Sequence, residues 1–142
     1  MSQNQIREIL EKYHVVAVVG LSREVGKPSR AVAAYLKGHA YHVIPVNPFT
    51  DEVLGEKSYP TLSAIPEELQ KTIEVVDIFR PATEVPPIVD EAIKLRKTFE
   101  QPFVVWMQSG IVNEKAAEAA RDAGLVVVMD RCMMVEHRHL QG

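Results

Sequence analysis

A short loop between Gly20 and Lys27 carries the residue types that bind phosphate. It follows an unbroken apolar run, Val15 to Val19, which is typical of a strand buried on both faces of a parallel sheet. Gly20 has no β-carbon, so the backbone can turn sharply or approach a ligand closely there. Pro28 and the residues after it predict a helix that begins where the loop ends. The free N–H groups of such a helix start, with Lys27 beside them, predict a phosphate site.

The same loop lacks the signatures of two common nucleotide sites. The second glycine of G-x-G-x-x-G is replaced by Ser22, and Gly26-Lys27 is followed by Pro28 instead of serine or threonine, which argues against a Walker P-loop. A dinucleotide site also needs an acidic residue at the end of the second strand, to hold the ribose hydroxyls. That strand ends in Asn47-Pro48 here. The pattern therefore favours a phosphate compound other than NAD.

Three further loops are expected at the same rim as the Gly20 loop. In an open parallel sheet, ligands bind beyond the carboxyl ends of the strands, where the strand order reverses. Arg80 follows the third predicted strand and supplies a fork-shaped cation suited to phosphate oxygens. Asn47 and Gln108, after the second and fourth strands, can hydrogen-bond neutral groups such as an adenine edge or an amide.

Five segments of the chain, taken in order, carry a family resemblance. The segments GLSREVGKPS, VIPVNP, VVDIFRP, WMQSGI and DRCMMVEH together resemble the small CoA-binding proteins. Those are single Rossmann-like domains similar to the N-terminal CoA-binding domain of the succinyl-CoA synthetase α subunit. The resemblance implies binding of coenzyme A or an acyl-CoA. It does not imply ligase activity, because the synthetase's second domain, with its phosphorylated histidine, has no counterpart in these 142 residues.

The resemblance also implies a set of cofactor-binding residues, grouped by the part of CoA that each loop would hold. The first loop would take the pyrophosphate, the end of the second strand the adenine and ribose, the third loop would lie beside the cofactor, and the fourth would close the site near the pantetheine arm. The residues are Gly20, Leu21, Ser22, Lys27 and Ser29; Val46, Asn47 and Pro48; Phe79, Arg80 and Pro81; and Gln108, Ser109 and Gly110. The pattern assigns no catalytic residue and no metal ligand.

The elements that must position these loops alternate along the chain. A helix is predicted from Gln3 to Lys12, and strands are predicted at Val15–Val19, Tyr41–Val46, Thr72–Phe79, Phe103–Met107 and Leu125–Met129. Strands that alternate with helices predict a parallel sheet with right-handed crossovers. We predict a three-layer, Rossmann-like α/β fold with five parallel strands in the order 3-2-1-4-5. Residues 130–142 are predicted to be a polar tail with some local order.

Composition limits the class of protein. A chain of 142 residues with 46% hydrophobic content predicts one domain, residues 1–142, with a sizeable core. The net charge of −3 and the pI near 5.9 offer no electrostatic case for nucleic acid or an anionic membrane. A single cysteine excludes an internal disulfide and indicates a cytoplasmic location. No protein partner, natural or engineered, can be identified from the sequence.

Several alternatives stay open at this point. An NAD(P)-linked enzyme or enzyme subunit is one, and a protein-interaction module with a vestigial nucleotide site is another; the pattern favours a binding protein over an enzyme. Cys132 invites a redox hypothesis, but free cysteines are commonly inert and buried. His137 and His139, with Glu136, raise the weaker hypothesis of a metal site, since residues at i and i+2 share one side only in an extended chain.

Overall fold

The computed structural model of the protein describes residues 1–141, over which helices alternate with strands. In chain order the elements are α1 (Gln3–Lys12), β1 (Val15–Val19), α2 (Pro28–Lys37), β2 (His42–Val46), β3 (Glu52–Val53), β4 (Glu56–Lys57), α3 (Glu67–Gln70), β5 (Val75–Ile78), α4 (Val85–Phe99), β6 (Val104–Met107), α5 (Glu114–Asp122), β7 (Val126–Val128) and α6 (Met133–Gln141). Two short 3-10 helices, Leu62–Ala64 and Ala82–Glu84, precede α3 and α4. The opening helix has its predicted bounds, and all five predicted strands form.

The central sheet contains β1, β2, β5, β6 and β7, all parallel. The short strands β3 and β4 form a separate antiparallel hairpin. Helices cover both faces of the sheet, which is why the central strands carry unbroken apolar runs such as Val16 to Val19. The predicted α/β fold with a five-stranded parallel sheet is confirmed.

The predicted strand order is wrong. Counted over the five strands of the sheet, the order is 2-1-3-4-5 and not 3-2-1-4-5, because β5 pairs with β1 on the side opposite β2. Pro45 in β2 supplies the physical reason, since proline has no N–H for a ladder and belongs in an edge strand. Its carbonyl accepts the N–H of Tyr59, which lies outside the sheet, at 3.1 Å. Pro45 was therefore a signal in the sequence that the prediction overlooked.

The corrected order moves the point at which the order of the strands in the sheet reverses. The chain passes from β1 to β2 on one side and then returns past β1 to β5 on the other. Open α/β sheets bind ligands at such a reversal, beyond the carboxyl ends of the strands. The loop after β5, which begins with Phe79 and Arg80, is therefore adjacent to the Gly20 loop. The loop after β6, residues 108–110, lies one strand further away.

Two apolar cores hold the helices against the sheet. One face is covered by α1, α2 and α6, with Leu10, Leu36 and Met133 fully or almost fully buried. The other face is covered by α4, α5 and the first 3-10 helix, with Val85 and Ala117 in the core. Burial of these faces, rather than helix propensity, accounts for most of the stability of such short helices.

The C-terminal segment is a helix and not a polar tail. In α6, Met133, Glu136 and His137 are buried, and the helix packs against α1 and α2. Its apolar positions are few, so periodicity alone indicated no buried face. Within residues 1–141, no helix combines the length and the apolar character that crossing a membrane requires.

Candidate functional site

The loop after β1 contacts the loop after β5 without room for a side chain between them. Gly20 has a φ of +87°, and its N–H donates to the carbonyl of Val46 at 2.8 Å. A β-carbon placed on Gly20 would lie 2.9 Å from the carbonyl oxygen of Phe79 and 2.8 Å from Cδ of Arg80. Glycine is required here both for the left-handed backbone and for the close approach.

Two serines shape the interior of the Gly20 loop. The hydroxyl of Ser29, which is buried, accepts the N–H of Ser22 at 2.9 Å. The hydroxyl of Ser22 in turn accepts the N–H of Glu24 at 3.0 Å. These bonds turn the loop so that it leads into α2, which begins at Pro28.

The start of α2 is open towards this loop. Lys27 is the N-cap residue, its backbone is extended, and no side chain caps the first turn. Pro28 has no N–H, and the N–H groups of Arg30 and Ala31 both donate to the carbonyl of Lys27 at 3.1 Å. The helix start therefore offers an anion the N–H of Ser29 and the positive end of the helix dipole. The Lys27 ammonium lies 3.9 Å from the Glu24 carboxylate, and both side chains are more than half exposed. An exposed pair of this kind holds Lys27 only weakly.

Asn47 joins the end of β2 to the Gly20 loop. Its Nδ2 donates to the carbonyl of Leu21 at 2.8 Å, and its Oδ1 accepts the N–H of Phe49 at 2.8 Å. Leu21 itself is fully buried. Both ends of the Asn47 amide are thus engaged within the protein, and the side chain acts as a brace for the loop.

Arg80 stands at the middle of the site. Its Nη2 donates to Oε2 of Glu84 at 2.7 Å, and both side chains are partly exposed. Arg80 therefore forms an ion pair with Glu84, four residues further along the chain.

A cleft with two lobes runs over the carboxyl end of β1. The first lobe has a volume of about 450 Å³ and the second about 510 Å³, and Gly20, Ser22 and Arg80 line both. The first lobe, on the α2 side, is polar and basic. The second lobe lies on the α4 side and has a more apolar lining. The first lobe is also lined by Lys27, Ser29 and Phe79, and the second by Val46, Asn47, Pro48 and Phe49.

Most of the predicted site residues therefore meet in one cleft, and five do not line it. Leu21 is buried beneath it, and Pro81 immediately precedes the second 3-10 helix. Gln108, Ser109 and Gly110 follow β6 and line neither lobe. Their distance follows from the corrected strand order, which places β5 between β6 and β1.

The Gln108 side chain is hydrogen-bonded to a buried carboxyl group. Its Nε2 donates to Oδ1 of Asp77 at 2.6 Å, and both side chains are almost completely buried. The other carboxyl oxygen of Asp77 is buried without a hydrogen-bond partner. Burial raises the pKa of Asp77 to about 7, against a smaller lowering by the Gln108 hydrogen bond.

Sequence reasoning missed Phe49 as a site residue. Its side chain is 81% exposed, although it is large and apolar, and it lines the second lobe next to Pro48. An aromatic residue directly after a strand-ending Asn-Pro turn was the available signal. Pro60 and Ile88, also in this lining, come from segments far along the chain, so no local pattern could have indicated them.

The residues behind the redox and metal hypotheses lie outside the cleft. Cys132 is a free, partly buried thiol, and His137 and His139 both belong to α6. Across residues 1–141, no group of three or more His, Cys, Asp or Glu side chains is arranged to hold a metal ion.

Comparison with known protein families gives a match over most of the chain. Residues 14–138 match the family model described as the CoA binding domain. The Bacillus subtilis (strain 168) protein YneT is 35% identical over 136 residues, which cover 96% of this chain and 94% of that protein. An Archaeoglobus fulgidus protein named acetate–CoA ligase [ADP-forming] II is 35% identical over 108 residues. That match covers 75% of this chain but only 15% of the ligase.

Solved structures show the same architecture. A hypothetical protein from Pyrococcus horikoshii OT3 superposes with a TM-score of 0.90 at 41% sequence identity, covering all of this chain and 94% of that one. A protein from Thermus thermophilus superposes with a TM-score of 0.86 at 34% identity, covering 99% of both chains.

Proposed function

This chain belongs to the family of CoA binding domains, and we propose that it binds coenzyme A or an acyl-CoA in the cleft over β1. Residues 1–142 act as one binding domain in this proposal, with a cytoplasmic location and no catalytic step of their own. The observation that carries the proposal is the close contact between Gly20 and Arg80, at the point where the strand order reverses. This contact brings the Arg80 guanidinium to the same cleft as the start of α2, which has no side-chain cap.

The first lobe suits the pyrophosphate of CoA. The start of α2 offers the N–H of Ser29 and the positive end of the helix dipole, and Lys27 and Arg80, which both line the lobe, offer positive charge. Each cation is held by one exposed or half-exposed carboxylate, Glu24 or Glu84, so a phosphate can replace that weak partner. Ser22 and Ser29 support this side by shaping the loop.

The second lobe suits the adenine and ribose. Val46 and Pro48 give it an apolar floor at the end of β2, and Phe49 offers an exposed aromatic ring at the same place. Aromatic side chains stack on bases because both have π-faces. Asn47 takes part by holding the loop in place.

The role proposed for residues 108–110 changes with the geometry. Ser109 and Gly110 are exposed on the rim and stay candidates for contact with the pantetheine arm, which extends away from the pyrophosphate. Gln108 and Pro81 are proposed to support the site from behind, and Leu21 to anchor the loop in the core.

A dinucleotide enzyme is the main competitor, and the end of β2 argues against it. NAD sites hold the ribose hydroxyls with an acidic side chain at this strand end. Here the position has Asn47, whose amide is already bonded to Leu21 and Phe49.

Titration calorimetry with CoA tests the proposal, with 3′-dephospho-CoA, NAD and ATP as competitors. Protein that is shown to be folded and ligand-free should bind CoA with the highest affinity of the four. Tighter binding of NAD, with hydride transfer, would support the enzyme alternative. No binding of any of them would favour an interaction module with a vestigial nucleotide site.

A further inference from the structure

A second cavity lies at the opposite end of the sheet from the cleft. It has a volume of about 310 Å³ and is lined by residues of α1, of the segments that precede β1 and β2, and of α6. Three of the protein's five histidines face it, namely His14, His39 and His137. They come from separate parts of the chain, and only the fold brings them together.

Tyr35 ties two of these histidines into one network. Its hydroxyl lies 2.8 Å from Nδ1 of His137, and its backbone carbonyl lies 2.7 Å from Nδ1 of His39. Because a carbonyl can only accept, His39 carries its hydrogen on Nδ1, and its Nε2 is left to take up a proton or a ligand. The rings of His39 and His137 are 5.2 Å apart between centroids.

His14 and the buried Tyr41 also line this cavity. The rings of His14 and Tyr41 are 4.9 Å apart, and the Tyr41 hydroxyl donates to the carbonyl of Leu10 at 2.6 Å. Burial lowers the pKa of His137, and the neighbouring His39 and His14 lower it further. Protonating these imidazoles together therefore brings like charges close, which a bound negative charge would offset.

The fixed charges at the mouth of the cavity belong to Arg7 and Glu11. Their side chains lie 4.0 Å apart and are more than half exposed, so the pair is weak and Arg7 remains free to contact a ligand. The Glu11 carboxylate opposes an anion. Burial raises the pKa of Tyr41 to about 12, with Tyr35 and Glu11 as further causes, so Tyr41 stays neutral. Arg138 does not line the cavity, and its guanidinium carbon lies 5.1 Å from the centroid of the Tyr35 ring.

We propose that this cavity is a second ligand site, which holds a small oxyanion such as a phosphate or carboxylate between Arg7 and the imidazoles of His14, His39 and His137. Binding takes up protons, because the anion stabilises the charged imidazoles. A metal site is the less suitable reading, since residues 1–141 contain no set of three suitably arranged ligands. The proposal does not depend on CoA binding at the other end of the sheet.

Histidine NMR with inorganic phosphate, and separately with acetate, tests this proposal at pH 6 and pH 8. Phosphate should shift the imidazole signals of all three histidines, raise their midpoints of titration, and bind more weakly at pH 8. Arg7→Gln should weaken binding by about tenfold, the usual effect of losing one charge-assisted hydrogen bond. Arg121→Gln, an exposed arginine on α5 across the sheet, should change nothing and serves as the control.

The alternatives give different results in the same experiment. Phosphate shifts confined to the backbone amides of residues 20–27, without any imidazole response, would overturn the proposal and place the anion in the cleft. Imidazole responses to Ni²⁺ but not to phosphate or acetate would replace it with a metal site. Preference for acetate over phosphate would identify the carboxylate form of the ligand. Arg7 is largely exposed, so its variant is expected to fold, and the thermal midpoint checks this.

Discussion

The α-carbon of Gly20 packs against the side chain of Arg80 so closely that a β-carbon would lie 2.8 Å from Arg80 Cδ. This contact joins the loops after β1 and β5, the two neighbouring strands at which the strand order reverses. It explains why the groups that we propose to bind phosphate, from two distant parts of the chain, share one cleft. It also gives the site a direct test.

Replacing Gly20 with alanine should destabilise the protein and weaken CoA binding. A left-handed backbone costs a residue with a β-carbon about 1–2 kcal/mol, and at Gly20 the clash with Phe79 and Arg80 adds to this strain. Gly26→Ala is the matched control, because Gly26 has a φ of +95° but no atom within 4 Å of an added β-carbon. Urea denaturation and calorimetry would measure both effects. Equal losses for the two variants would show that the contact itself contributes nothing.

Removing the charge of Lys27 should weaken CoA binding by about 1–3 kcal/mol, the usual range for a lost hydrogen bond to a charged group. Lys27→Ala tests this, and Lys27→Arg, which keeps the charge, should retain most of the affinity. Calorimetry at two salt concentrations should show that the difference shrinks as salt rises. Unchanged affinity in a folded Lys27→Ala protein would remove Lys27 from the site.

Glu84 should compete with the ligand for Arg80. The pair is partly exposed, so breaking it costs at most about 1 kcal/mol. Glu84→Gln should therefore raise CoA affinity by roughly two- to fivefold, whereas Arg80→Gln should lower it. The exposed Glu118, on α5, provides the control substitution Glu118→Gln. A loss of affinity in Glu84→Gln would mean that Glu84 holds Arg80 in its binding orientation.

Phe49 should contribute to binding of the adenine ring. Stacking on an aromatic side chain is worth about 1–3 kcal/mol per base, so Phe49→Ala should weaken CoA binding by that amount. Phe49→Trp should retain it. Affinity for 4′-phosphopantetheine, which lacks adenine, should be unchanged. An equal loss for both ligands would place Phe49 near the pantetheine arm or in a structural role.

Asp77 should make the stability of the protein depend on pH. Its pKa is about 7 in the folded protein, against 3.8 for the unperturbed group. The folded protein therefore keeps a proton that the unfolded chain loses, and the stabilising contribution is complete below about pH 4 and lost as the pH rises through about 7. Asp77→Asn cannot ionise and should be more stable than the parent protein at pH 8. Urea denaturation between pH 5 and pH 8 would measure this, and parallel curves for the two proteins would contradict it.

Local sequence features were sufficient for the fold class and for the local structure of the first loop of the candidate site. The apolar run before Gly20, the glycine itself and Pro28 describe a strand, a turn and a helix within about 20 residues, and the structure has all three. The position of Arg80 was harder to predict. The loop that contains Arg80 could be recognised in the sequence, but its contact with the Gly20 loop depends on the strand order.

Three features depended on contacts that no local pattern reports. Gln108 was expected to face a ligand, but its partner is Asp77, 31 residues away along the chain. The segment after Asp130 shows little apolar periodicity, so its burial against α1 and α2 was missed. The histidine cavity needs residues from both ends of the chain, and only the packing of α6 closes it.

The sequence by itself determined the class of fold, the five strands and the strand, turn and helix that form the first loop, because each depends on neighbours along the chain. Pro45 would also have placed the second strand at an edge, since a proline cannot donate to a ladder. Only the tertiary structure decided which loops meet. The pairing of β5 with β1 sets that choice, and pairing is decided by the packing of two whole faces of the sheet rather than by any single segment.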